Sequence, residues 1–186
     1  MRSHINRYPW QAQANPLYPW APAVRIPRNL VTLPATLLED FEITTDWTAV
    51  NGSLAANVTE FKSGTQSIKL TSTLGGQGKM ARTVNWDMSS TTHISFWLYM
   101  HDAIVDYSSI RIRLSHDAGE AAYFQKATPL ASLAVGWNWI DIPKALFIST
   151  GGNWANAIVR ISLYIIPVSG KTVNASYDTM NTGGSS

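Results

Sequence analysis

The chain has 186 residues with a formal net charge of +2, and it is rich in aromatic residues, with eight Trp and seven Tyr. It contains no Cys, which excludes a disulfide framework and thiolate chemistry. It has no apolar run of about 18 residues, which excludes a membrane-spanning helix. This length allows one sizeable core plus an appendage.

Residues 1–36 are predicted to form an extended arm. They hold six of the nine prolines and four of the fourteen basic residues, but no acidic residue. Each proline fixes φ and removes a backbone donor, which excludes a helix or a central strand. The triplet Tyr8-Pro9-Trp10 recurs ten residues later as Tyr18-Pro19-Trp20. We predict that the arm docks on another protein, because aromatic residues and Arg are typical of interfaces. The predicted anchoring residues are Tyr8, Trp10, Tyr18, Trp20, Arg25 and Arg28. The alternative is that the arm folds back over its own domain.

Residues 37–180 have the sequence pattern of an all-β domain. Short alternating runs are separated by turn clusters such as Asn51-Gly52 and Gly151-Gly152, as in a sandwich or barrel. Because no helix is long enough for a crossover, the runs predict antiparallel sheets. The predicted strands are 37–43, 54–60, 66–73, 79–86, 93–101, 109–116, 121–128, 137–142, 159–166 and 172–178. Short helical turns are predicted at 144–149 and 153–157, and a flexible tail at 181–186.

The stretch from His93 to His101 carries the clearest signal. In a strand, successive side chains point to opposite faces. The side chains predicted to enter the core are Ile94, Phe96, Leu98 and Met100. The side chains on the other face form an amphipathic set suited to an exposed surface, and they are His93, Ser95, Trp97, Tyr99 and His101.

The same alternation predicts further outward aromatic and basic side chains in strands 109–116, 137–142 and 159–166. If these strands share a sheet with 93–101, one face collects rings that stack on sugars and Arg groups that pair with hydroxyl or carboxylate oxygens. The predicted glycan-binding residues are Trp97, Tyr99, Arg111, Arg113, Trp137, Trp139 and Tyr164, with Arg160 beside them. The alternatives are burial of this face in an assembly, or cover by a loop or by the arm.

Several stretches together resemble jelly-roll carbohydrate-binding modules. The resemblance covers residues 37–180 and is carried by Leu38-Glu39-Asp40-Phe41-Glu42, Trp47, the stretch 61–70, Ile94-Ser95-Phe96-Trp97-Leu98-Tyr99, the stretch 136–142, Gly151-Gly152-Asn153-Trp154 and Ser176-Tyr177-Asp178. It implies two antiparallel sheets packed face to face as a β-sandwich. Modules of this kind accompany polysaccharide-modifying enzymes, and they also occur on bacteriophage tail and capsid proteins.

The resemblance also bears on metal binding, because many such modules carry a structural calcium ion near the first and last strands. The matching carboxylates are Asp40 or Glu42 with Asp178, beside the carbonyls of 62–65. Calcium takes about six to eight oxygen ligands. Such modules often end in two adjacent acids, whereas Asp178 is followed by Thr179. We therefore predict that the protein requires no cofactor. The resemblance allows one bound metal, a structural calcium ion. The alternative is that these acids are solvated or pair with a Lys.

Catalytic motifs are absent from the sequence. The four His residues lack the His-Glu-x-x-His spacing, no Gly-x-Ser-x-Gly elbow occurs, and the twelve acids are scattered. The arm has too few Arg residues for a nucleic-acid tract. We therefore predict a protein that is not an enzyme and binds neither nucleic acid nor membrane.

Two functions fit these observations, with a small hydrolase or lyase of this fold as a third. The first is a virion structural protein, such as a phage capsid decoration, fibre or tail component. It would be present in several copies, held by its arm on other virion proteins, and would display the sandwich toward cell-surface glycans. The second is a carbohydrate-binding module of a larger secreted, extracellular enzyme. A start at Met1 without a signal-peptide pattern favours the first, in a virion made in the host cytoplasm.

Overall fold

The computed structural model describes residues 36–183, which form twelve β-strands and four short 3-10 turns. The strands are β1 Thr36–Glu39, β2 Thr48–Val50, β3 Gly52–Asn57, β4 Ser67–Ser72, β5 Gly78–Trp86, β6 His93–Met100, β7 Tyr107–Ser115, β8 Tyr123–Thr128, β9 Gly136–Pro143, β10 Ile148–Thr150, β11 Ile158–Pro167 and β12 Asn174–Thr182. The 3-10 turns are Thr44–Asp46, Ile104–Asp106, Leu130–Ser132 and Lys144–Leu146. Within residues 36–183 no helix has the length and hydropathy needed to cross a lipid bilayer.

The strands form two six-stranded antiparallel sheets. Sheet A has the order β3-β4-β12-β6-β9, with β1 also paired to β12. Sheet B has the order β10-β8-β7-β11-β5-β2. One cluster of buried apolar side chains joins the inner faces of the two sheets. This confirms the predicted all-β jelly-roll sandwich.

Strand β6 lies between β12 and β9 in sheet A, and its side chains alternate as predicted, except that Ser95, predicted on the exposed face, is buried. All four side chains predicted to enter the core are buried. Trp97 and Tyr99 point to the opposite face and are half-buried. Each fully buried aliphatic or aromatic side chain contributes about 1.5–3 kcal/mol from the hydrophobic effect, so a shift of one residue in the register of β6 would be costly.

The first predicted strand, 37–43, ends earlier than predicted, at Glu39. Phe41 has a φ of 59°, in the left-handed region that breaks a strand. This turn buries the Phe41 ring, whose centroid lies 5.3 Å from that of Trp47 in a stacked pair. A core contact therefore overrides the local strand pattern.

Other differences concern short or terminal elements. Strands β2 and β10 were not predicted, and each has three residues. The predicted turn at 144–149 is a 3-10 turn followed by β10. The predicted tail at 181–186 is wrong for Asn181 and Thr182, which pair with β1 and β6 as part of β12. The predicted arm, apart from Thr36, lies outside the described residues, as do residues 184–186.

Candidate functional site

The outer face of sheet A carries four aromatic side chains, here called the aromatic strip, and they are Trp97, Tyr99, Trp137 and Trp139. The register between β6 and β9 places Trp97 opposite Trp139 and Tyr99 opposite Trp137. The ring centroids of these two pairs are 5.0 and 5.2 Å apart. Neighbouring residues on one sheet face are close enough for such contacts, so the four rings form one continuous apolar surface.

The rings of the aromatic strip are inclined to one another. The interplanar angle is 57° between Trp97 and Trp139, 76° between Tyr99 and Trp137, and 85° between Trp97 and Trp137. Edge-to-face contacts of this kind are favourable for aromatic pairs. The surface is therefore corrugated rather than flat.

A set of polar side chains, here called the polar row, lies beside the aromatic strip, and it consists of Asn57, Lys69, His101 and Ser176. Ser176 of β12 lies opposite both Tyr99 and Lys69. Its hydroxyl bonds to His101 Nε2 at 2.8 Å and accepts a hydrogen bond from Asn57 Nδ2 at 3.0 Å. Burial lowers the pKa of His101, and nearby Lys69 lowers it further, which favours the neutral imidazole. A neutral imidazole has one donor and one acceptor nitrogen.

The loop between β3 and β4 brings a cation onto the aromatic strip. Asp178, fully buried on the outer side of β12, accepts hydrogen bonds from the backbone N–H groups of Lys62 and Ser63. Lys62 Nζ then lies 4.4 Å from the centroid of the Trp97 ring and 5.5 Å from that of Trp137. The strip thus has the polar row beside it and an ammonium group over two of its rings.

A pocket of about 230 Å³ adjoins Trp139 at the edge of sheet A. Its polar lining includes Lys126, Ser132 and Asp141, and Leu146 contributes apolar surface. Because Trp139 also belongs to the aromatic strip, the pocket continues that surface around the edge strand β9.

The three carboxylates predicted to hold calcium are engaged in hydrogen bonds. Glu42 accepts from the N–H groups of Thr65 and Gln66 and from the Thr65 hydroxyl, and Asp40 accepts from the N–H of Glu42. Asp178 accepts the two N–H groups of the β3–β4 loop and the hydroxyl of Thr179. Within residues 36–183 no three acidic or His side chains converge on a common point. Hydrogen-bond donors therefore already occupy part of the oxygen surface of these carboxylates, which calcium would need as ligands.

We expect that removing calcium leaves the stability of this corner unchanged, because hydrogen bonds already satisfy its carboxylates. The measurement is the melting temperature in excess EGTA against the melting temperature in millimolar calcium chloride. A drop of several degrees in EGTA would show that a structural ion binds here. Until it is measured, the calcium site stays a prediction.

The predicted glycan-binding residues do not all share one face. Strands β7 and β11 belong to sheet B, so Arg111, Arg113 and Tyr164 lie on the opposite side of the sandwich from Trp97. The assumption that all four strands share a sheet is therefore wrong. Arg113 donates to Glu120 and Gln125, and the Tyr164 hydroxyl donates to Glu120. The arm residues predicted as anchors lie outside the described residues.

Sequence reasoning missed four contributors to the outer face of sheet A, which are Asn57, Lys62, Lys69 and Ser176. Alternation alone places Ser176 and Asn57 on an outer face. No local signal, however, shows that β12 lies beside β6, or that a loop carries Lys62 to Trp97.

The described residues form a two-sheet jelly-roll β-sandwich. Among solved structures, the chain is similar to a family 11 carbohydrate-binding module from Clostridium thermocellum in complex with a β-1,3-1,4-mixed-linked tetrasaccharide. The TM-score is 0.63 at 16% identity, over 81% of this chain and 96% of that chain. A family 30 module of a cellulosomal cellulase of Clostridium thermocellum matches with a TM-score of 0.55 at 13% identity, over 83% of this chain and 100% of that chain.

Similar folds also occur inside longer chains. An exo-β-agarase matches with a TM-score of 0.59 at 11% identity, over 81% of this chain and 25% of that chain. No protein-family model matches this sequence, and no curated protein matches it either.

Proposed function

We propose that the outer face of sheet A binds a carbohydrate chain and that the protein is a non-catalytic binding module. The observation that carries this proposal is the aromatic strip lying directly beside the polar row. Sugars present C–H faces that pack on aromatic rings and hydroxyl edges that need hydrogen-bond partners. Strands hold the rings and Lys69, and the buried Ser176 bonds to His101, so little rotamer entropy is lost on binding. Lys69 and His101 are the partly exposed members of the polar row.

The structural similarity supports this proposal at the level of fold. Both family modules are carbohydrate-binding proteins by name, and one of them holds an oligosaccharide. Fold alone does not establish function. The proposal therefore rests on the residues of this chain.

The inclined rings favour a single soluble polysaccharide chain over a crystalline surface. A flat crystal face would need coplanar rings to contact several of them at once. The rings of the aromatic strip instead meet at angles of 57°, 76° and 85°, so they suit a chain that bends around its contacts.

The test is native gel electrophoresis with soluble polysaccharides in the gel, namely mixed-linked β-glucan, xyloglucan, xylan, galactomannan and agarose. We expect retardation relative to serum albumin in at least one gel, and no depletion by microcrystalline cellulose. Normal migration in all five gels would overturn the proposal. Depletion by cellulose alone would overturn the choice of soluble chains.

Lys62 is expected to weaken the binding of neutral sugars, because its ammonium group lies over the rings on which they would stack. An exposed cation–π contact is worth about 0.5–1 kcal/mol. Lys62→Ala should therefore raise retention in a neutral-glucan gel roughly two- to fivefold, and Lys171→Ala, elsewhere on the surface, should not. Weaker retention in the Lys62 variant would instead make Lys62 a ligand contact.

For the whole chain we propose the virion role predicted from the sequence, in which residues 1–36 anchor the sandwich on other virion proteins. Its support is the repeated Tyr-Pro-Trp triplet and the basic, proline-rich composition of that segment. The alternative, a module of a larger secreted enzyme, is supported by the exo-β-agarase chain, of which a similar fold covers 25%.

Replacing Trp10 and Trp20 by Ala should reduce incorporation of the protein into the virion if both residues anchor the chain, because interface Trp residues carry a large share of binding energy. Normal incorporation of the double variant would contradict the anchoring role of these two residues.

A further inference from the structure

The outer face of sheet B carries an excess of positive charge, contributed by four side chains here called the basic face, which are Lys79, Arg111, Arg113 and Arg160. They come from the adjacent strands β5, β7 and β11 and project on the side away from the core. Residues 36–183 contain ten basic and twelve acidic side chains, a net charge of −2. The basic face is therefore a positively charged patch on a domain whose net charge is negative.

One carboxylate lies within the basic face. Glu120, from the loop between β7 and β8, accepts hydrogen bonds from Arg113 Nη1 at 2.9 Å and from Arg160 Nε at 3.1 Å. The hydroxyls of Ser162 and Tyr164 donate to it at 2.6 and 2.7 Å, and Lys79 Nζ completes the set. The Glu120 side chain is only 7% exposed. Five donors on three strands thus form a cradle whose spacing fits a carboxylate.

Glu120 neutralises only part of this charge. Four cations face one carboxylate, which leaves a net charge of +3 on the basic face. Arg111 makes no ion pair within residues 36–183 and donates only Nε, to the Ser109 hydroxyl at 3.1 Å. Arg113 stacks on the Tyr123 ring, with its guanidinium carbon 4.0 Å from the ring centroid. Such an unbalanced face attracts polyanions.

We propose that the outer face of sheet B is a second binding surface, which takes a carboxylate-bearing polysaccharide. Guanidinium groups match carboxylates in a planar, two-pronged geometry, and the cradle around Glu120 shows that these strands hold a carboxylate with both Arg and hydroxyl donors. Because the basic face and the aromatic strip lie on opposite sides of the sandwich, the protein can hold two polysaccharide chains at once.

The test is native electrophoresis of the full chain in gels containing polygalacturonate, with the salt concentration varied. Wild type should be retarded at low salt, and the retardation should weaken as salt screens the charges. Arg111→Gln, outside the contacts of Glu120, should reduce retention several-fold. Lys171→Gln, which makes the same charge change away from the basic face, should leave it unchanged.

Glu120→Gln separates a binding role from a purely structural one. Removing this charge raises the net charge of the basic face, so retention by polygalacturonate should increase several-fold even though the melting temperature falls. Unchanged retention in both the Arg111 and the Glu120 variants would overturn the proposal. Equal retardation of wild type by double-stranded DNA would also overturn it, because the surface would then be a general polyanion site. If the Glu120 variant does not fold, the comparison of Arg111→Gln with Lys171→Gln decides the proposal alone.

Discussion

Replacing Trp97 and Trp137 together by Ala is expected to abolish retention by the neutral polysaccharide that wild type binds. Both rings are half-buried on the outer face of sheet A, and neither belongs to the core cluster. Central aromatic residues of a binding surface each contribute about 2 kcal/mol or more. The double variant should therefore lose roughly a thousandfold in affinity, while its melting temperature moves by only a few degrees.

The control for this prediction is Trp86→Ala, which removes an indole from β5 of sheet B and leaves the aromatic strip intact. It should keep normal retention even where it costs stability, because Trp86 packs against the core. Affinity gels and thermal unfolding, measured on the same preparations, separate the two effects. A large loss of stability in the double variant would place these rings in the core, and undiminished retention would remove the aromatic strip from the binding site.

Glu120→Gln is expected to be the most destabilising single charge removal in the described domain. Burial alone raises the pKa of Glu120, but the hydrogen bonds from Lys79, Ser162 and Tyr164 outweigh it and lower the pKa to about 2. A carboxyl whose pKa falls from 4.5 in the unfolded chain to about 2 in the fold stabilises the fold by about 3 kcal/mol at neutral pH. For a domain of this size, that loss lowers the melting temperature by roughly 6–12 °C.

The stability that Glu120 contributes depends on pH. Because the pKa of Glu120 is lower in the fold, its contribution is fully present above pH 4.5 and is lost as the pH falls toward 2. The melting temperature of wild type should therefore fall over this range more steeply than that of Glu120→Gln. Asp141→Asn, an exposed carboxylate without an ion pair within residues 36–183, should keep the wild-type profile. A Glu120 variant with the wild-type acid profile would contradict the assigned network.

Several features of this protein follow from the sequence alone, because they depend only on neighbouring residues. Period-two alternation correctly places Phe96 and Leu98 in the core and Trp97 and Tyr99 outside it. Turn residues separate the strands near the observed positions. The absence of long helical runs leads to antiparallel sheets. Each of these properties depends on a few consecutive residues, so the sequence pattern is enough to predict it.

Which strands become neighbours was decided only by the tertiary structure. Arg111 and Trp97 both point away from the core, yet they lie on opposite sides of the sandwich because β7 pairs with β11 in sheet B and β6 pairs with β12 in sheet A. Glu120 gives no local sign of its role, since its partners are Lys79 in an earlier strand and Tyr164 in a later one. Strand pairing and loop contacts depend on packing between residues far apart in the chain, and alternation along one strand carries no information about them.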